Sequence, residues 1–145
     1  MSKIENYYLI TGSSSGLGEA LSKQLKKSGF KTLGIDKTEG IHTDINIDLS
    51  NISNENVLEI KNSLNGKKID SIVHCAAVQK NPSNDIDDVS ATFDEVFSVN
   101  VKSIYLLVKI LENEFSNFSK LCIVSSVHAQ ATTKNNTLYA SSKSA

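Results

Sequence analysis

Apolar runs and segments of helical period alternate along the whole chain. The first apolar run, residues 7–11 (YYLIT), is short and rich in strand formers, and it ends at a glycine-rich turn. Leu17, Ala20, Leu21 and Leu25 then recur at helical spacing, and Ser28-Gly29 stops that helix. Residues 31–36 (KTLGID) read as a second strand, and 43–49 (TDINIDL) alternate polar and apolar positions as a third. A polar helix follows over about 53–64, with Val57, Leu58, Ile60 and Leu64 as its apolar positions and Asn65-Gly66 behind it. Residues 69–77 form a continuous apolar run, as expected of a strand covered on both faces. The stretch 79–90 is irregular and holds the sole proline, Pro82. A long helix is predicted over about 91–115, with Phe93, Val96, Phe97, Ile104, Leu107, Val108 and Leu111 on its apolar side. A fifth strand at 121–125 and a helix opening at Thr137 complete the pattern.

Strands alternating with helices imply an α/β fold with right-handed crossovers. The expected class is a Rossmann-type doubly wound parallel sheet of order 3-2-1-4-5, in a single domain over residues 1–145. The domain is expected to be incomplete at its C-terminus. The helix opening at Thr137 should cross to a sixth strand, and without one the fifth is an exposed apolar edge.

Composition narrows this picture only a little. A chain of 145 residues, 39% hydrophobic and 21% charged, has room for one soluble globular domain. The net charge of −1 gives no electrostatic reason for a nucleic-acid or acidic-membrane partner. No apolar run approaches the roughly 20 residues that span a bilayer, and the first ten residues lack the features of a secretory signal. A cytoplasmic location is the default expectation. Cys75 and Cys122 lie in apolar runs and read as buried, unpaired thiols. No metal site is expected, since His74 and His128 lack ligand-spaced companions.

The chemistry begins in the first turn, Thr11-Gly12-Ser13-Ser14-Ser15-Gly16-Leu17-Gly18. Between a strand and a helix, Gly12 allows the sharp exit, Gly16 the close approach of a pyrophosphate, and Gly18 tight helix–sheet packing. The helix N-terminus offers free N–H groups to phosphates, and the hydroxyls of Ser13, Ser14 and Ser15 add donors. Asp36, ending the second strand, can accept adenosine ribose hydroxyls and repel a 2′-phosphate, which favours NAD over NADP. Lys37 pulls toward NADP; Ser15, where a basic residue would favour NADP, pulls back toward NAD.

Near the end, Tyr139 and Lys143 are four residues apart and share a helix face. A free phenol titrates near about 10, and an ammonium within about 4–6 Å favours its ionised form. That is the tuning a proton-exchanging catalyst needs.

Together with Thr11–Gly18, Asp36, Asp48-Leu49, Asn100 in VNV and Ser126 in VSSVHA, these residues resemble the compact branch of the short-chain dehydrogenase/reductase family, in order and separation. The resemblance implies an NAD(P)-dependent oxidoreductase moving a hydride between a nicotinamide and a secondary alcohol or ketone. It makes Tyr139 the acid/base and Lys143 its electrostatic partner and ribose ligand. Ser126, preferred to Ser125 on spacing, holds the substrate oxygen, and Asn100 sits in a proton relay. Asp48 and Leu49 flank the adenine. Cys75-Ala76-Ala77 stand where the family has Asn-Ala-Gly, so the asparagine's hydrogen bonds are missing and Ala77 must keep a negative φ. The departure is expected to tune cofactor affinity. The resemblance also implies a homodimer or homotetramer of the full-length protein, built on the helices around Asn100 and Thr137. Two other readings stay open: a non-catalytic dinucleotide-binding module, and a fragment inactive alone.

Overall fold

Leu9 and Ile10 point to opposite faces of the first strand, and both are fully buried, so the sheet is covered on both sides. The computed structural model describes residues 5–145; the first four residues, part of the segment read for a leader, lie outside it. Five parallel strands are ordered β3-β2-β1-β4-β5, as the alternation of elements predicts. They are β1 (Tyr7–Thr11), β2 (Lys31–Asp36), β3 (Ile45–Asn46), β4 (Ile69–His74) and β5 (Phe115–Ile123). The helices are α1 (Gly16–Lys27), α2 (Asn54–Leu64), α3 (Ile86–Phe97), α4 (Ser103–Ile110) and α5 (Thr137–Ser144). Among the described residues no helix is long and apolar enough to cross a membrane.

Leu9, Leu33, Ile35 and Ile72 of the sheet join Ile60 and Leu64 of α2 and Ile104 and Leu107 of α4 in one apolar cluster. Burying each such side chain is worth about 1.5–3 kcal/mol. Local signals fix the boundaries of α2. Ser53 and Asn56 form a reciprocal capping box at its start, and Asn65 takes the left-handed conformation, φ 48°, at its end.

Several expected boundaries move, each for a local reason. β3 has only two ladder residues in place of 43–49, because β2 ends at Asp36 and leaves nothing further to pair. Ile47 and Leu49 are nevertheless buried. β4 stops at His74 rather than Ala77, level with the end of β1 at Thr11. The long helix starts at Ile86, not 91, because the Asp85 carboxylate accepts from the backbone N–H groups of Asp87 and Asp88. It is then broken by a π turn, Ser98–Lys102, closed by a bond from the Ser103 N–H to the Ser98 carbonyl, and it ends at Ile110. β5 begins at Phe115, six residues early, with a register irregularity against Ile69–Ser71. Leu58 and Phe93 are exposed rather than core residues, and Cys122 is exposed rather than buried. Phe118, Leu121 and Ile123 of β5 are also exposed.

Candidate functional site

β1, β2 and β4 end together at Thr11, Asp36 and His74, and a cleft of about 360 Å³ lies at these C-terminal ends. The chain leaves β1 toward β2 on one side and meets β4 on the other, the switch point where parallel α/β sheets bind ligands. One wall is the glycine turn. Gly12 has φ 72°, and a Cβ there would fall 2.7 Å from the Ala76 nitrogen, so this turn rests directly on the exit of β4. A Cβ on Gly18 would land on the Gly12 carbonyl oxygen, so α1 starts in backbone contact with the turn.

Ser15 caps α1 without a side-chain bond to its first turn, and Ser14, Ser15, Gly16, Leu17 and Gly18 all line the cleft. Free N–H groups and the positive end of the helix therefore face it, an arrangement that suits a phosphate. Ser13 departs from expectation. It is fully buried, and its hydroxyl bonds Thr43 Oγ1 at 3.1 Å, so it faces away from the cleft.

Asp36 stands at the rim with one carboxylate oxygen accepting from the Ser14 N–H and the other from the Thr38 N–H, both at 3.0 Å. These bonds fix the group while each oxygen keeps a lone pair for another donor. Asp48 lines the cleft as well. Hydrogen bonds from the Ser50 hydroxyl and N–H hold its carboxyl below the usual range. Leu49 contributes a buried apolar surface.

Cys75, Ala76 and Ala77 form the opposite wall. Burial pushes the half-buried Cys75 thiol up, which keeps it protonated and unreactive near neutrality. Ala77 keeps the negative φ expected of it, since Asn65 is the one non-glycine with positive φ among the described residues. Thr38, Ile47, Val78 and Val99 also line the cleft and escaped the sequence reading. Val78 and Val99 adjoin motif residues, so adjacency was the available signal.

A second cluster gathers around α5. The Lys143 ammonium donates to the Val124 carbonyl at 2.8 Å and lies 5.8 Å from the centre of the Tyr139 ring. Burial lowers the Lys143 pKa, partly opposed by Cys75. Ser125 donates to the Lys143 carbonyl at 3.0 Å, whereas Ser126 accepts from the His128 N–H at 3.2 Å and keeps its own proton. The His128 ring meets Tyr139 edge-on at 6.0 Å.

Asn100, in the π turn, joins the two regions. Its Oδ1 accepts from the Val78 N–H at 2.7 Å, and its Nδ2 donates to the Val78 carbonyl and to Ser142 Oγ, each at 2.9 Å. Both amide protons are thereby used. The cleft wall and the helix of Tyr139 and Lys143 are tied through one side chain.

His74 lies beneath the cleft, fully buried, with Nδ1 2.7 Å from Thr11 Oγ1. Burial chiefly, and the Lys143 charge secondarily, lower its pKa from 6.5 to about 4. The folded chain thus takes up this proton less readily than the unfolded chain. Its contribution to stability is complete above pH 6.5 and is lost as pH falls through about 4. At about 1.4 kcal/mol per pH unit, the whole loss is expected to be about 3 kcal/mol, read by urea unfolding at intervals from pH 7 to 4. A flat profile over that window would show that the ring ionises equally in both states.

The family model for short chain dehydrogenases matches residues 6–145. An uncharacterized oxidoreductase of Staphylococcus haemolyticus is 31% identical over 94% of this chain and 65% of its own length. The 3-oxoacyl-[acyl-carrier-protein] reductase of Buchnera aphidicola is 28% identical over 93% of this chain and 60% of its own. The matches to such relatives span between 42% and 65% of those proteins' own length. Among solved structures, the ligand-free aldohexose dehydrogenase of Thermoplasma acidophilum superposes with a TM-score of 0.81 at 22% identity, covering 97% of this chain and 56% of that one.

Proposed function

The chain belongs to the short-chain dehydrogenase/reductase family, and on that premise we propose that it binds NAD in the cleft and serves the reversible oxidation of a secondary alcohol to a ketone. The observation that supports this reading is the Asn100 side chain, which bonds Val78 in the cleft wall and Ser142 on the helix that bears Tyr139 and Lys143.

The cleft suits a dinucleotide on its own evidence. It has a helix N-terminus without a side-chain cap, a glycine surface and a fixed carboxylate at the rim. The N–H groups of Gly16 to Gly18 would hold phosphate, Asp36 the adenosine ribose, and Asp48 and Leu49 the adenine. When bound, the nicotinamide supplies the hydride acceptor or donor. Ser126 offers its free hydroxyl proton to the substrate oxygen. Tyr139 exchanges the proton on that oxygen, and the Lys143 ammonium stabilises the phenolate as it forms. Self-association through the helices around Asn100 and Tyr139 belongs to the same reading.

Calorimetric titration with NAD and NADP, followed by nicotinamide absorbance against a panel of secondary alcohols and ketones, tests it. NAD is expected to bind more tightly than NADP. Asp36→Ala is expected to weaken NAD by about tenfold or more, the value of a charge-assisted bond to ribose, and to narrow the gap to NADP. Binding without turnover would favour the dinucleotide-binding module. No binding of either dinucleotide by the folded chain would sink the reading.

A further inference from the structure

The glycine turn and the exit of β4 are in backbone contact, and a side-chain pair beneath them holds that contact. Thr11 Oγ1 accepts from the Ala76 N–H at 3.2 Å, and the Thr11 carbonyl accepts from the Cys75 N–H at 3.2 Å. Among the described residues, the Thr11 hydroxyl proton has one acceptor within reach, His74 Nδ1 at 2.7 Å. With the Thr11 hydroxyl as the donor of this bond, Nδ1 is the acceptor and the ring proton sits on Nε2. Among the described residues, buried Nε2 has no partner at hydrogen-bond distance, and the Val99 backbone, in the π turn beside Asn100, only partly opposes the lowering of the ring's pKa. Keeping an unsatisfied buried donor works against stability. An apolar ring would avoid that penalty but could not fix the Thr11 hydroxyl.

We propose that His74 is a positioning residue for the dinucleotide, acting through Thr11 to fix the gap between the glycine turn and the wall of Cys75, Ala76 and Ala77. The proposal rests on the reading of the cleft as a dinucleotide site. Its physical basis is how little slack the two walls have. Ala76 N lies where a Gly12 Cβ would come within 2.7 Å, so movement at Ala76 is passed directly to the turn that meets the phosphates. The neutral ring suits this role. A proton on Nδ1 would remove the acceptor that the Thr11 hydroxyl uses and would add a cation near Lys143, the one charged group acting on this ring.

Three variants of the whole chain test this: His74→Phe, which keeps a ring without the acceptor; His74→Asn, which restores an acceptor near Nδ1; and Thr11→Val, which removes the hydroxyl. Calorimetry with NAD reads the cleft, and amide hydrogen exchange of the ligand-free chain reads the clamp. His74→Phe and Thr11→Val are each expected to weaken NAD binding about tenfold and to speed exchange at Ala76 about tenfold, with the midpoint of thermal unfolding little changed. His74→Asn is expected to recover most of both losses, and a fourth chain combining Thr11→Val with His74→Phe to bind no more weakly than either of those single variants. If His74→Phe does not fold, Thr11→Val and His74→Asn carry the same comparison. Wild-type affinity together with wild-type Ala76 exchange in Thr11→Val and His74→Phe would overturn the proposal, as would additive losses in the double variant. If the wild-type chain binds no dinucleotide, the cofactor role falls with the reading it rests on, whatever the exchange data show about the clamp.

Discussion

Replacing Tyr139 with phenylalanine is expected to slow nicotinamide reduction by about 10²–10⁴-fold, the usual contribution of one acid/base group, while NAD affinity stays within about twofold. That loss is about 3–5 kcal/mol in the barrier, well above the small packing effect of removing one oxygen. The substitution is clean because the ring keeps its neighbours. The edge-on contact with His128 and the approach of Lys143 at 5.8 Å both involve the ring itself. Lys143 is a poorer target, because its ammonium also holds the Val124 carbonyl at the end of β5, so its removal mixes electrostatics with structure. Stopped-flow absorbance with one substrate from the alcohol panel, at saturating NAD, separates the chemical step from binding. If Tyr139→Phe kept more than a tenth of the wild-type rate, another group would have to carry the proton, and the role given to α5 would fall.

The parts of this site that could be read from sequence are those that depend on spacing along a single element. Tyr139 and Lys143 share a face because four residues make about one turn of helix, and the glycine turn follows from its place between a strand and a helix. The order of the strands followed from alternation and the handedness of crossovers. Features that depend on a partner from elsewhere in the chain were not legible. Ser13 resembles its neighbours in sequence, yet pairing with Thr43, thirty residues on, takes it out of the cleft. Asn100 stood out by motif, but that its amide would grip both Val78 and Ser142 required the π turn, which periodicity does not reveal. Asp85 shows a signal that was present and outweighed. An aspartate ahead of Ile86-Asp87-Asp88 is a helix cap, but the proline and the polar residues around it suggested a loop. His74 looked like one polar residue in an apolar run. Its contact with Thr11 appears only when β1 and β4 end level with each other.

Gly18→Ala sets helix propensity against packing, and packing is expected to win. Alanine in place of glycine inside a helix should stabilise α1 by about 1 kcal/mol, so a reading confined to the helix predicts a gain. Here, however, the new Cβ would overlap the Gly12 carbonyl oxygen and lie 3.2 Å from the Thr11 carbonyl oxygen. Both are backbone atoms and cannot rotate aside, so either α1 or the turn must move. Overpacking of this kind costs about 1–3 kcal/mol or more, and the displaced atoms belong to the surface that the proposed function assigns to the phosphates. The expected result is a lower unfolding midpoint together with a loss of NAD affinity of about two orders of magnitude or more, since the helix N-terminus no longer meets the turn. Gly66→Ala is the control that isolates backbone conformation. Gly66 has φ 73° with open space where its Cβ would go, so the change should cost about 1–2 kcal/mol and leave NAD affinity untouched. A Gly18→Ala chain as stable as wild type, with full NAD affinity, would mean that helix and turn tolerate separation, and the contact between them would then have no part in shaping the cleft.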